Sequence, residues 1–404
     1  MATSRGVGVL AAAAVVGIAG CGTVREPAAA GSAGPGASTT DRSASSSSAP
    51  ASASAGPTGG HAAGPVPGGF AATSVTWVSS DEAFVLGTAP CAHAPCTSIV
   101  RTVDRGASWV GLPAPAEPVG EPTLGSAPVV WGIRFATPEH GFVFGDGLWE
   151  TTDGGQRWTR AVTPPGSVLS LAIVQGQVFA IIDRCTPEGA CAQPGTLARR
   201  ALSGGPWVFV ASGAAVSLID PDDLIATQAG VAAVVADHDV LVTADGGRTL
   251  SRNPIPCPAA VPPPSVAVTS ATGLAMLCTG GAYTGHTIKQ VYVGDDDGAH
   301  WTLAGAPSPD GDGGTIAATT TGQLAIATAS AASWLFHSAD AGASWRIVNQ
   351  QDDGGMGWAD LGFTTAADGV VVYGPADSDG NVTRRPGQLF LTDDAGATWH
   401  EVRF

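Results

Sequence analysis

Beyond residue 69 the large apolar side chains fall in short β-branched or aromatic runs, each cut off by Gly, Pro or Asp. One stretch shows the rhythm. Residues 131–137 read as a strand, Pro138-Glu139-His140 as a turn, 141–145 as a second strand, 148–152 as a third and 158–162 as a fourth. Runs of this kind between turn formers predict antiparallel strands joined by hairpins. Upstream the pattern changes twice. Residues 7–18 form an unbroken apolar run, and residues 22–68 carry hardly a large apolar side chain among their Ala, Ser, Gly, Pro and Thr. The chain therefore divides at 1–20, 21–68 and 69–404.

A short box recurs at one turn of the four-strand rhythm. Its clearest copy is Thr151-Thr152-Asp153-Gly154-Gly155-Gln156-Arg157-Trp158. The pattern [Ser/Thr]-x-Asp-x-Gly-x-x-Trp is met again by Thr102, Asp104, Gly106 and Trp109. It is also met by Ser338, Asp340, Gly342 and Trp345, and by Thr392, Asp394, Gly396 and Trp399. A fifth copy, Thr243, Asp245 and Gly247, is followed by Leu250 instead of Trp. A sixth, Asp296, Gly298 and Trp301, has Gly294 in place of the hydroxyl. A vestige, Ser203-Gly204-Gly205-Pro206-Trp207, stands where one further copy belongs. About 0.02 full matches are expected by chance, so four establish a repeat. Successive Asp positions lie 49, 92, 51, 44 and 54 residues apart, the second gap being two units. A period near 48, seven times over residues 70–404, predicts a propeller of seven four-stranded antiparallel blades, whose radial arrangement covers nearly all sheet edges.

The box has a physical reading of its own. It lies between the third and fourth strands, where the Ser or Thr hydroxyl and the Asp carboxylate accept hydrogen bonds from otherwise unpaired backbone N–H groups. The Gly permits positive φ. The Trp begins the fourth strand and folds its apolar surface back over the turn. The boxes are dispersed round a ring, so they read as structural and not as catalytic or calcium ligands.

On these residues the chain resembles the Asp-box (BNR) repeat propellers, a repeat shared by sialidases, sortilin-type receptors and the photosystem II assembly-factor family. The phrase Ile133-Arg134-Phe135-Ala136-Thr137-Pro138-Glu139-His140-Gly141-Phe142-Val143-Phe144-Gly145, followed by a box, is most similar to the assembly-factor type. The resemblance implies a fold far more firmly than an activity.

Composition adds location. The apolar run at 7–18, after Arg5, is too short to span the roughly 30 Å core of a bilayer and reads as a signal peptide. It ends in Ile18-Ala19-Gly20-Cys21, which resembles the lipobox of bacterial lipoproteins, so Cys21 is the expected lipidation site. The following segment cannot bury enough surface to offset chain entropy and is expected to be a disordered tether reaching about 40 Å. The domain is thus expected outside the cytoplasm, on the outer face of the bacterial cytoplasmic membrane. A net charge of −16 argues against nucleic acid, and the lipid anchor is the only membrane contact expected.

Six further cysteines in an exported domain predict disulfides. Spacing favours Cys91–Cys96, Cys185–Cys191 and Cys257–Cys278, with Cys257 before the first strand of the fifth unit and Cys278 ending its second. Loops after the second and fourth strands emerge on the face opposite the boxes, which places all three bridges there. Loops on a rigid scaffold carry binding, so that face is the one expected to meet a partner.

Catalytic chemistry is hard to find. The resemblance to sialidases would require an arginine cluster, a Tyr nucleophile paired with Glu, and an acidic general acid. The chain lacks the Arg-Ile-Pro phrase, and Tyr283, Tyr292 and Tyr373 have no neighbouring Glu in sequence. Arg134, on an innermost strand and directed at the central channel, and Arg184, Arg384 and Arg385 in opposite-face loops are the candidate anion ligands. Asp377-Ser378-Asp379-Gly380-Asn381 opens like a calcium loop, but Val382 replaces the required Gly and Gln388 the bidentate Glu. Cys91-Ala92-His93-Ala94-Pro95-Cys96 has no second cluster to complete a zinc site. No metal or cofactor is expected. The reading is a monomeric, non-enzymatic envelope lipoprotein that binds a protein or glycan. Its rivals are a sialidase-like glycoside hydrolase and an assembly factor for a membrane complex.

Overall fold

A computed structural model describes residues 64–91, 96–120, 128–163, 166–183, 195–210, 215–216, 225–236, 238–258, 264–283, 286–352, 356–374 and 387–404. Seven four-stranded antiparallel sheets follow one another along the chain as the blades of a propeller. In chain order their innermost strands are Ala71–Trp77, Val130–Phe135, Ser167–Val174, Ala226–Gln228, Ser265–Val268, Asp312–Ala318 and Trp358–Phe363. Each strand pairs with the next in sequence, so every blade is a meander running outward from the axis. Blade 1 gains a fifth, outermost strand, Gly64–Pro65, paired with Val110–Leu112, so the propeller starts inside the segment expected to be linker up to residue 68. In blade 3 a fifth short strand, Ala215–Val216, pairs with the third strand beside Val208–Phe209. No helix occurs among the described residues.

The second unit folds close to its sequence reading, as Val130–Phe135, Gly141–Gly145, Leu148–Thr151 and Thr159–Arg160. The fourth strand is shorter than the expected 158–162. As the outermost strand it is held from one side only, and the sequence soon brings Pro164 and Pro165, which have no N–H to offer a ladder.

Burial explains why the middle strands read as continuous apolar runs. Successive side chains of a strand point to opposite faces, and each middle strand is covered on both. In Val231–Ala236, Val231, Ala233 and Val235 pack against blade 5, whereas Ala232, Val234 and Ala236 pack against blade 3. In Gly369–Tyr373, Val370 and Val372 face blade 1, whereas Val371 and Tyr373 face blade 6. The described residues contain seven apolar clusters, one at each interface between neighbouring blades. The core is therefore a ring of seven interfaces and not a single centre.

The box turns follow one hydrogen-bond scheme. Thr102 Oγ1 donates to Asp104 Oδ1 at 2.8 Å and accepts the Gly106 N–H at 2.9 Å. Thr151 repeats this with Asp153 and Gly155 (2.9 and 3.0 Å), and Thr243 with Asp245 and Gly247 (3.0 and 2.8 Å). So do Ser338 with Asp340 and Gly342 (2.8 and 2.8 Å) and Thr392 with Asp394 and Gly396 (2.9 and 2.9 Å). The carboxylate also accepts the N–H four residues on, at Ser108, Arg157, Thr249, His300, Ser344 and Thr398. In four boxes that residue adds its hydroxyl to the second carboxylate oxygen, a contact the sequence motif leaves out. The sixth box departs from the scheme. Gly294 has replaced the hydroxyl that would accept the Gly298 N–H, and the imidazole of His300 meets Asp296 at 2.5 Å.

The box Gly is needed twice over. As the motif predicts, φ is positive at Gly106, Gly155, Gly247, Gly298, Gly342 and Gly396. At Gly106 it is +84°, and a Cβ there would meet Leu391 of blade 7 at 3.0 Å. The position before the Gly is left-handed as well, even where the residue is Arg105, Asp297, Ala341 or Ala395. The tryptophans divide into two kinds. Trp109, Trp345 and Trp399 lie back over their own turns, as the sequence suggests, and donate to the carbonyl of their own box Gly. Trp158 and Trp301 instead reach back to Pro113 and Pro254 of the preceding blade, and so lace neighbours together.

These bonds make stability pH-dependent. Hydrogen bonds from Thr249 and Ser344, led by the Thr249 N–H and the Ser344 hydroxyl respectively, hold Asp245 and Asp340 at about 2, against an ordinary 3.8. His337, buried between blades 6 and 7, is held below its ordinary 6.5 by burial and then by Arg346. All three groups bind protons more readily unfolded, so stability falls on acidification. The His337 contribution begins to go as the pH drops below 6.5, and the carboxylate contribution goes as it falls from about 4 towards 2. Thermal melts across this range should show both declines. His337→Gln, which keeps a donor for Gln323, should flatten the first and leave the second. A wild-type Tm that does not move just below pH 6.5 would contradict the assignment.

Candidate functional site

The innermost strands surround a central channel with a cavity of about 280 Å³. Its walls come mainly from the C-terminal halves of those strands, which run towards the box-bearing face. Several inner strands bulge against their neighbours, as between Ala72 and Ser74, Val130 and Gly132, Val168 and Ser170, and Ala359 and Gly362. A bulge re-aims the side chains beside it, and Arg134, Ser170 and Asp360 line the cavity next to these points.

Arg134 lies in the channel wall and is engaged by groups of three blades. Its Nη2 meets Asp360 Oδ1 of blade 7 at 2.5 Å, and its Nη1 donates to Ser74 Oγ of blade 1 at 3.1 Å and to Ile133 O of its own blade at 2.8 Å. The second oxygen of Asp360 accepts the Val75 N–H at 2.7 Å. Asp360 is 7% exposed and has φ +52°, a conformation that costs a non-glycine residue about 1 kcal/mol or more. Its carboxylate thus joins blades 7, 1 and 2. Blade 7 is built wholly from the C-terminal end of the chain and blade 1 from the start of the propeller, so no connecting segment crosses their joint. The same seam carries a backbone bond from Ala72 N to Gly387 O (2.9 Å), an Arg105–Asp368 ion pair (2.6 Å) and Phe404 edge-on to Phe70 and Trp109.

The face opposite the boxes is braced by different means. Cys91–Cys96 bridges the second and third strands of blade 1. Cys257–Cys278 joins the approach to blade 5 to its second strand. Cys278 does not end that strand, as the spacing suggests, but lies within Leu274–Tyr283, because this hairpin extends beyond the blade. Lys289, the one lysine of the chain, lies on the returning strand His286–Gly294 and is 1% exposed. Its Nζ donates to the carbonyls of Thr287, Pro309, Asp310 and Gly311 at 2.7–3.1 Å. Burial pulls its ammonium down to about 8, with Asp312 and Asp310 opposing. The cation fixes the loop between blades 5 and 6 to the hairpin. A lone lysine in a charge-poor sequence is the available signal, and a search for motifs passes over it.

Blade 3, which has only a vestigial box, meets blade 2 through another polar contact. Arg200, 7% exposed, donates to Glu150 at 2.8 Å and lies over the rings of Phe142 and Trp207. The other oxygen of Glu150 meets His140 at 2.7 Å. The remaining sequence candidates, Cys21, Arg184, Cys185, Cys191, Arg384, Arg385 and the 377–381 turn, lie outside the described residues, as does His93. Among the described residues no cluster of three or more His, Cys, Asp or Glu side chains is gathered as metal ligands.

No family model matches the chain, and no curated protein matches it. Solved structures with a similar chain path include YCF48 bound to D1 peptide, with 16% identity, a TM-score of 0.47 and coverage of 83% of this chain and 94% of that one. YCF48 from Cyanidioschyzon merolae gives 16% identity, a TM-score of 0.43 and coverage of 69% and 86%. The GH74 xyloglucanase from Xanthomonas campestris gives 13% identity, a TM-score of 0.29 and coverage of 82% and 72%.

Variants at the Asp360 joint and at Lys289 test these assignments. Asp360→Ala should cost about 3 kcal/mol in chemical denaturation, because it strands a half-buried guanidinium and an N–H. Asp360→Gly should cost less, since it relieves the positive φ, and Arg134→Met combined with Asp360→Ala should lose less than the two single changes added together. Lys289→Met should cost about 2 kcal/mol through unpaired carbonyls. It should also speed hydrogen exchange at the Thr287 amide, which bonds to Gly311 O.

Proposed function

We propose that this protein is a lipid-anchored binding scaffold of the bacterial cell envelope. Cys21 carries the lipid, residues 22–63 are the tether, and the propeller presents the face opposite its box turns to a protein or glycan. The observation that carries this reading is the bracing of that face. Two disulfides and the Lys289 cage hold its connections, whereas the box face is held by short-range bonds within each turn. Rigid loops lose less entropy on binding than mobile ones, so preorganisation of this kind favours recognition. An assembly factor for a membrane complex is the form of this reading in which the partner is a membrane protein.

A sialidase-like hydrolase would need Arg134 to take the carboxylate of a substrate. In this chain the guanidinium already holds the carboxylate of Asp360 and hydrogen-bonds to blade 1. An anionic sugar would have to displace a contact that closes the ring.

The anchor is tested by feeding cells a labelled fatty acid. The wild-type chain should take up the label and sediment with membranes, and Cys21→Ser should do neither. A Cys21→Ser chain that stays membrane-bound refutes the anchor. The face is tested by photo-crosslinking in cells from exposed positions, since the sole lysine is buried. A probe at Ser308, on the braced face, should trap a specific partner, and one at Arg157, in a box turn, should not. The reverse pattern, or release of sugar from sialosides by the purified chain at enzymatic rates, would overturn the proposal.

A further inference from the structure

A second cavity, of about 440 Å³, opens on the box-bearing face at the seam between blades 7 and 1. Its size lies within the roughly 300–1,000 Å³ usual for small-molecule sites. Trp77, at the end of the innermost strand of blade 1, lines both this cavity and the central channel, so the two adjoin. The indole Nε1 of Trp77 is buried and has no hydrogen-bond partner among the described residues. Leu391 supplies a second apolar wall. Around these lie Arg105, Asp368, Asp393 and His400, with the hydroxyls of Ser80 and Thr364 nearby.

We infer that this seam cavity binds a neutral saccharide, one or two rings in size. Trp77 and Leu391 offer apolar surface that the C–H face of a pyranose can cover and that a purely ionic ligand would leave unused. The charged groups argue for neutrality. Arg105 and Asp368 already form an ion pair at 2.6 Å. An anionic ligand would compete with Asp368 for the guanidinium, and a cationic one with Arg105 for the carboxylate. Hydroxyl groups can instead donate to the remaining carboxylate lone pairs and accept from the remaining N–H groups without breaking the pair. Asp393 and His400 are exposed at the rim and supply a further acceptor and a further donor. The overall charge of −16 also opposes anionic sugars at long range.

The position has a consequence for the fold. The lining comes from both blade 1 and blade 7, the first and last blades along the chain, which no connecting segment joins. A sugar seated there binds the closed ring and not the open one, so it should stabilise closure by mass action. The inference concerns the box face and does not rest on the partner-binding face proposed above.

Calorimetric titration of the full chain, in a detergent without a sugar headgroup, tests it. The probes are maltose, cellobiose and N-acetylglucosamine, with glucosamine as the cationic control and glucuronate as the anionic one. At least one neutral sugar should bind and raise the Tm, at least tenfold more tightly than either charged sugar. Asp393→Ala and His400→Ala together should weaken that binding at least tenfold while leaving the Tm of the free protein unchanged. Asp368→Asn should weaken it as well, which keeps the test decisive if the double variant is unstable. Absence of binding by all three neutral sugars, preference for a charged sugar, or affinity unchanged in both the double variant and Asp368→Asn would overturn the inference. Each of these results leaves the crosslinking experiment unaffected.

Discussion

A ring of seven sheets has one joint that the polypeptide does not cross, and the carboxylate of Asp360 is the group on which that joint turns. Six interfaces between blades are crossed by the continuous chain as well as by an apolar cluster. The seventh, between blades 7 and 1, has the cluster but no connecting segment of chain. There a buried carboxylate accepts one backbone N–H from blade 1 and one guanidinium from blade 2. An ionised acceptor forms stronger hydrogen bonds than a neutral one, and two such bonds outweigh the cost of placing Asp360 in the left-handed region. A local rule of backbone preference is broken where global closure demands it.

The repeat was legible because one local constraint is written into the chain many times. Each box satisfies its own turn through contacts within about seven residues, so the motif and the structure it imposes share one stretch of sequence. The blade interfaces were legible for a related reason: two-sided burial turns a middle strand such as Val231–Ala236 into an uninterrupted apolar word. What pattern reading could not supply were contacts between distant positions. That Arg134 faces the channel follows from its strand, but its partner lies 226 residues away. The role of Lys289 was hidden for another reason, since its acceptors are backbone carbonyls, which every residue has. The extended hairpin of blade 5 was missed because nothing in its apolar run marks where the blade ends and the projection begins, and this misplaced Cys278 at the strand's end.

The two faces of the propeller solve the same problem in different ways. On the box face the turns are short and repetitive, and their polar groups are matched inside each turn. On the opposite face the connections differ in length and sequence from blade to blade, so no repeating bond scheme can hold them. Disulfides and the caged ammonium of Lys289 take over. A cation surrounded by four carbonyls needs no specific sequence in the loop it holds, only a backbone at the right distance. Such a loop can vary in its side chains while keeping its path, a useful property for a surface that meets a partner.

Blade 3 shows how far the two kinds of stabilisation are separable. Its box has decayed to a Gly-Gly-Pro-Trp turn without the box hydroxyl or carboxylate, yet the blade keeps its place in the ring, its third strand paired on the outside by two short strands, Val208–Phe209 and Ala215–Val216. The hydroxyl and carboxylate of the box are therefore a device for the outer hairpin and not for the packing between blades. The surviving Trp207 still reaches back to blade 2, donating to Val162 O at 2.9 Å, and it covers Arg200, whose guanidinium holds Glu150 of that blade. The indole of a box thus has two separable duties, sealing its own turn and gripping the preceding blade. Only the second needs to persist once the turn is held by glycine alone. Ring closure makes the same division at larger scale: apolar faces set how the blades stack, and a few charged groups decide that the last stacks on the first.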